Sequence, residues 1–324
     1  MALVAGATRI FDNEALVPEA WREHRSDGFR VFNPTLLPGP GGGFVMAYRV
    51  VSAALGRKIA LCRLDAGLEP VPGSVTPFQP EPLLAAGRFT EATRAWQADP
   101  RFFQLDGRAW LYWNDGYKRP HNNQFILELD PATLAPLGRP KLLTRAGGRQ
   151  MIEKNWGLFF EEGIRALYAA DPFTLLQAGA MGEEELVFAE VLTLPGPPAA
   201  PGLGVLRGGA APVLFEGEYY SFCHAVTQET KRLRHYEAAV HSFAAGPQAG
   251  PRRAALRPLA LPNPFGGGTR YPPLNPLAGR IIYVCGALRL PAGWLLSYGI
   301  NDERCALHLL SQAEVDAHMA PPPG

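Results

Sequence analysis

Glycine and proline break this chain everywhere: 35 Gly and 32 Pro are spread through 324 residues. That is about a fifth of the total, against roughly 12% in average usage. A long helix cannot be assembled from such a sequence, because Pro removes a backbone donor and Gly adds freedom that a helix must freeze. Only residues 18–25 and 312–319 read as short helices, one near each end. The remainder reads as short strands and turns. With 47% hydrophobic and 19% charged residues, the chain can bury a sizeable core. The expected class is all-β.

A three-part unit recurs along it. An apolar strand with a polar residue near its start leads through a Gly-containing turn to an aromatic-rich strand, then to a third alternating strand. The copies are FRVFNPTLLP/GGFVMAYRV/KIALCRLD, WQADPRFFQL/DGRAWLYWND/NQFILELD, EKNWGLFFEE/GIRALYAADP/ELVFAEVLTL, LRGGAAPVLF/EGEYYSFCHA/HYEAAVHSF and RIIYVCGALRL/PAGWLLSYGIND/CALHLLS. They begin near residues 30, 97, 153, 206 and 280. Each copy is long enough for a four-stranded sheet, so the pattern predicts a five-bladed β-propeller over residues 1–324, with short terminal helices. Pro-flanked pieces such as 141–144 and 256–261 suit the outer edge strands, where a missing N–H is tolerated. Residues 8–11 are expected to close the ring on the last blade. A β-sandwich is the competing architecture.

In a propeller the entry ends of the inner strands converge on one funnel. The polar residues falling there are Asn33, Asp99, Lys154 with Asn155, and Arg207 on first strands. Arg49, Asp115, Asp171, His224, Asn301 and Asp302 follow at the ends of second strands. Ionisable groups in apolar strands are costly unless paired or used, and mutual pairing that plugs the channel is the plain alternative to a ligand site. Lys154 stands out in a chain with five lysines. It either pairs with Glu153 or presents a cation to an anionic substrate, with Arg49 and Arg207 as helpers. Trp96, Trp113, Tyr117, Trp156, Tyr236 and Tyr298 flank these positions as candidate sugar-binding faces.

The formal net charge is +1, which argues against a nucleic-acid partner. Four dispersed cysteines, with no CxxC pair, argue against a zinc site or disulfide framework. No secretory signal and no run of about 18 apolar residues is visible, so the expectation is a soluble cytoplasmic protein without a membrane span. GxSxG, HExxH and P-loop motifs are missing, and no cofactor or metal is expected. An oligomer is compatible with the Pro-rich loops and terminal helices.

Asn33-Pro34, Arg49, Asp99-Pro100-Arg101, Glu153-Lys154-Asn155-Trp156, Arg207-Gly208-Gly209 and Ser297-Tyr298-Gly299-Ile300-Asn301-Asp302 occur in order, one motif per blade. As a set they resemble the five-bladed propeller enzymes of glycoside hydrolase family 130 and the related mannosyl phosphorylases and transferases of glycosyltransferase family 108. The resemblance implies making or breaking of a β-mannosidic bond with inversion, with Asp99 as general acid. It also implies phosphate held by Arg49, Lys154, Arg207 and His224. The expected partners are a sugar or sugar-phosphate and an oligosaccharide acceptor.

Inverting chemistry needs a proton donor for the leaving oxygen and an attacker from the opposite face. A phosphorylase or transferase ranks first, with Asp99 as acid or base. A hydrolase using Glu153 as base, and a non-catalytic glycan-binding propeller, are the alternatives. Asn33, Arg49, Arg101, Asp115, Lys154, Asn155, Arg207, His224, Tyr236 and Asp302 are the expected substrate-binding set.

Overall fold

Strands dominate the computed structural model, which describes residues 3–25, 27–84, 88–116, 121–197, 200–228 and 234–320. Hydrogen bonds join the strands into three sheets of nine, eight and four strands among the described residues; after β1 (Thr8–Ile10), antiparallel pairing divides these sheets into five groups. The first is β2 (Arg30–Pro38), β3 (Phe44–Ser52), β4 (Gly56–Leu64) and β5 (Thr76–Phe78). The second is β6 (Ala98–Leu105), β7 (Arg108–Asn114), β8 (Gln124–Leu129) and β9 (Lys141–Arg145). The third is β10 (Gly157–Phe160), β11 (Ile164–Ala170), β12 (Phe173–Ala178) and β13 (Glu185–Leu194).

In the fourth group the inner strand is broken into β14 (Val205–Arg207) and β15 (Val213–Phe215), which both pair with β16 (Glu218–Gln228). Beyond it lie β17 (Arg234–Ala244) and β18 (Pro251–Ala254). The fifth is β19 (Ala278–Leu290), β20 (Gly293–Ile300) and β21 (Arg304–Leu310), completed by β1 antiparallel to β21.

Parallel contacts join β9 to β13 and β17 to β19. Apolar faces join every neighbouring pair. Val45, Ile59 and Leu61 of the first group pack with Leu111, Trp113 and Phe125 of the second. Tyr112 and Ile126 pack with Trp156 and Leu176 of the third. Phe159 and Phe173 meet Tyr219 and Phe243 of the fourth. Phe222 and Val240 meet Trp294 and Tyr298 of the fifth. Leu295 and Leu307 return to Met46 and Tyr48 of the first. The sheets thus make a barrel-like arrangement in which burial between groups supplies the core.

Three readings are corrected. The third strand of the third copy is 173–178, and 185–194 is its outer strand. The outer strand of the fourth group is 251–254, not 256–261. Residues 19–24 form a 3-10 turn, since Pro18 precedes it and the chain leaves at Arg25; the C-terminal helix covers only Gln312–Asp316, capped by Ser311.

Two glycines position the inner ends. A Cβ on Gly208 would land on the Asn155 carbonyl, and one on Gly299 would land on the Asn33 side-chain oxygen. Gly299→Ala is therefore expected to push Asn33 off its partner and lower stability by about 1.5–3 kcal/mol, the scale of a hydrogen bond to a charged group. Gly267→Ala, whose nearest neighbour would be 3.5 Å away, is the neutral control. Chemical denaturation of the two variants checks this.

Candidate active site

Three inner strands carry bulges. The register slips by one residue between Phe32 and Thr35, between Ala98 and Arg101, and between Val284 and Gly286. A bulge puts two residues opposite one and re-aims a side chain. At the first two sites the re-aimed residues are Asn33 (φ 55°) and Asp99 (φ 51°). Asn and Asp enter the left-handed region more readily than most residues. The Pro that follows each of them lacks the N–H the broken ladder would need.

These two side chains meet. Asn33 donates to Asp99 Oδ1 at 3.0 Å, and Arg49 Nη1 donates to the same oxygen at 3.2 Å. They line a cavity of about 210 Å³ with Arg57, Lys154, Tyr236, Leu274, Asn275, Ile281, Tyr283 and Asp302. Three cations thus face two carboxylates. Arg49 is paired with Asp99. Among the described residues Lys154 makes no hydrogen bond or ion pair, and Arg57 has no carboxylate partner. The Lys154–Glu153 pair, one of the two readings of this lysine, does not form.

Arg57 stacks at 4.3 Å over Trp96. Burial, and then the neighbouring Arg49, lower its pKa to about 10.

The carboxylates are driven apart. Burial alone would raise Asp99, but Arg49, Lys154, Arg101 and the Asn33 hydrogen bond outweigh it and hold the group at about 2. Trp96 and Trp113, expected as sugar-binding faces, do not line the cavity. Trp96 holds Arg57, and Trp113 lies in the core between Phe78 and Phe125. Asp302 goes the other way: burial raises it to about 6, with Asp99 adding to the rise and Arg49 opposing it. A folded pKa above the ordinary 3.8 means that Asp302 stabilises the fold below pH 4, and that this contribution is lost as pH rises through 6. Asp302→Asn is expected to raise stability at pH 8 by on the order of 2 kcal/mol and to change little at pH 4. Thermal unfolding at the two pH values reads this.

The expected catalytic residue Asp99 lines the cavity, as do Asn33, Arg49, Lys154, Tyr236 and Asp302 of the expected substrate-binding set. The others do not. Arg101 is fully buried behind it, donating to Asn155 Oδ1 at 2.9 Å and Tyr283 Oη at 2.8 Å. Asn155 accepts a further bond from Tyr283 Oη at 2.8 Å. Asp115 is spent on its own loop, accepting from the Asn123 backbone and side-chain amides. Glu153 is buried, its backbone paired with Asn122 and its carboxylate accepting from Tyr168 at 3.3 Å. Burial raises its pKa, and it has no access to the cavity that a base would need.

His224 is buried with its ring 4.5 Å from that of Tyr283. Burial, then Arg101, Lys154 and Arg207, lower it to about 3, so the ring is neutral. Arg207 is exposed and pairs in register with His224. Asp171 is exposed, and Asn301 bonds to carbonyls of the 262–277 segment. Trp156 and Tyr298 are core residues. Tyr117 lies outside the described residues.

Arg57, Tyr283, Leu274 and Asn275 escaped the sequence reading. Arg57 opens a third strand, whereas the expected funnel positions are first-strand starts and second-strand ends. Leu274 and Asn275 belong to a Pro-rich connection with no periodicity.

No family model and no curated protein sequence matches the chain. Solved structures do. A β-1,2-mannobiose phosphorylase from Listeria innocua superposes with a TM-score of 0.63 at 13% identity, covering 96% of this chain and 98% of that one. A glycosyl hydrolase from Bacteroides ovatus gives 0.60 at 14%, covering 89% and 85%. A structure from glycoside hydrolase family 130, whose hydrolases target β-1,2 mannosidic linkages in Candida mannan, gives 0.61 at 13%, covering 96% and 95%. This chain shares their fold.

Proposed function

We propose that this chain is a carbohydrate-active enzyme that makes or breaks a β-mannosidic bond with inversion, as a phosphorylase or glycosyltransferase. We further read residues 1–324 as one domain, its five strand groups being the blades of a propeller. The observation that carries the functional reading is the pair of cations, Lys154 and Arg57, lining one cavity with Asp99 and holding no carboxylate of their own. Unpaired cations in a concave site favour an anion, and a phosphate or sugar phosphate is the anion that fits this chemistry. The fold shared with a mannobiose phosphorylase supports the choice of a β-mannoside.

In the synthetic direction the ionised Asp99 accepts the proton of an acceptor hydroxyl. The acceptor oxygen then attacks the anomeric carbon from the face opposite the phosphate, which leaves with the electron pair of its C–O bond. In the reverse direction a phosphate oxygen attacks, and a protonated Asp99 gives its proton to the departing glycosidic oxygen. The cations that hold Asp99 near 2 are offset by bound phosphate, so anion binding raises the carboxyl toward the protonated form that this direction needs.

One observation favours a second, hydrolytic reading. Asp302 lines the cavity with Asp99 and, once ionised above pH 6, serves as the base for water in place of Glu153. Asp99 locked to Arg101 with no cleft beside it would favour a non-catalytic propeller; the ion-pair partner of Asp99 is Arg49, and a cavity adjoins it.

A panel of β-mannosides incubated with and without inorganic phosphate tests these readings. Phosphate-dependent release of sugar 1-phosphate is the expected result. Release of free sugar regardless of phosphate supports the hydrolase, and binding without turnover supports the non-catalytic propeller.

A further inference from the structure

The segment 262–277 joins the fourth and fifth strand groups and contains PNPFGGGTRYPPLNPL. Its end is tied to β17, where the Leu277 carbonyl accepts from the Arg234 amide, but it forms no strand. Polar clamps hold it instead. Asn301 Nδ2 donates to the carbonyls of Gly266 and Gly268 at 2.9 and 3.0 Å. The buried Glu303 carboxylate accepts the Arg270 and Tyr271 amides at 2.8 and 2.7 Å. Arg30 donates to the Pro272 carbonyl at 2.8 Å and lies 4.8 Å over the Tyr271 ring. A cavity of about 270 Å³ remains beneath the segment, between Phe265, Thr269, Arg270 and the Asn301–Glu303 turn. The segment therefore rests on discrete hydrogen bonds and not on a continuous apolar face.

Its far end reaches the catalytic cavity, where Leu274 and Asn275 form part of the wall. Asn275 Oδ1 accepts from the Leu277 amide at 3.1 Å. Its Nδ2 makes no hydrogen bond among the described residues, which leaves a donor for a ligand hydroxyl. The clamp residues Asn301 and Glu303 flank Asp302, which lines the same cavity. One turn thus sets both the segment and a site carboxylate.

We propose that segment 262–277 is the specificity element of this cavity, selecting the sugar through the free side-chain amide of Asn275 and the apolar wall of Leu274. The choice of sugar ligands rests on the functional reading above. A neutral hydrogen bond of this kind contributes about 0.5–1.5 kcal/mol net, or roughly three- to tenfold in affinity. A site built to bond a hydroxyl disfavours the epimer that presents it in the opposite configuration, because the site's own donor is then left unpaired.

Calorimetry with α-mannose, α-glucose and α-galactose 1-phosphates, the free sugars and inorganic phosphate tests this. The proteins compared are wild type, Asn275→Ala, Leu274→Ala and Glu303→Ala. The expected result is that Asn275→Ala compresses the ranking of the epimers by about three- to tenfold, while inorganic phosphate binds as in wild type. Glu303→Ala, whose side chain clamps the segment from outside the cavity lining, is expected to compress the ranking as well. Retained phosphate affinity shows that each variant is folded. Wild-type binding with an unchanged ranking in Asn275→Ala and Leu274→Ala overturns this inference alone. Failure of the wild type to bind any member overturns the functional reading and this inference with it.

Discussion

Asp99→Asn is expected to lower turnover by about 10²- to 10⁴-fold, the range that general acid–base catalysis contributes. The amide keeps the shape and an oxygen to accept from Asn33 and Arg49, so the loss isolates the proton. Two further signatures separate this from simple damage. Removing one of the two cavity carboxylates leaves three cations against one, so sulfate should bind more tightly in the variant while turnover collapses. Stability should also fall. A pKa of about 2 against the ordinary 3.8 means that Asp99 stabilises the fold above about pH 4, a contribution lost as pH drops through 2. At pH 7 the variant should therefore be less stable by about 2 kcal/mol. Full activity on a poor leaving group would remove Asp99 from the mechanism and make Asp302 the next carboxylate to test.

Removal of either unpaired cation is the other large effect. A hydrogen bond to a charged group is worth about 1.5–3 kcal/mol, so Lys154→Ala and Arg57→Ala should each weaken mannose 1-phosphate binding by roughly ten- to a hundredfold. Free mannose should be affected far less, since it carries no charge. Lys154→Ala should lower stability only slightly near neutral pH, because this exposed lysine makes no hydrogen bond but its charge helps hold Asp99 ionised. Arg57→Ala gives up its stacking on Trp96 and should cost about 0.5–2 kcal/mol besides. Equal losses for the phosphate and the free sugar would show that the cations only shape the cavity. Titration calorimetry with both ligands distinguishes the outcomes.

The strand plan was legible because its cause is local. Each inner strand announces itself by an apolar run after a polar residue, and each hairpin by Gly at its turn. The 173–178 strand was missed because FTLLQA follows the preceding strand after only Asp171-Pro172 and was absorbed into the connection. In the site, Asn33-Pro34 and Asp99-Pro100 were legible as polar residues in apolar strands, and they are the bulge residues. The bulges also explain the failures. In a regular strand Arg101, two residues on, would share a side with Asp99, but the register slips between Ala98 and Arg101 and the guanidinium ends behind the cavity wall. Asp115 and Glu153 are polar for a different reason, since Asn123 and Asn122 tie them to the loop before β8 and Tyr168 of β11 holds the Glu153 carboxylate. A polar residue at a strand end does not say whether it turns inward or back on its own loop. Arg57, Tyr283 and Asn275 reach the cavity only through the packing of separate groups, which no local pattern encodes.

The central claim is that phosphate and a β-mannoside meet at Asp99, Lys154 and Arg57. The most direct measurement is the ³¹P NMR spectrum of the protein incubated with β-1,2-mannobiose and inorganic phosphate. Attack from the opposite face inverts the anomeric centre, so the account predicts a growing α-mannose 1-phosphate signal that is lost in both Asp99→Asn and Lys154→Ala. A β-configured sugar phosphate, or free mannose formed with the phosphate signal unchanged, would contradict it.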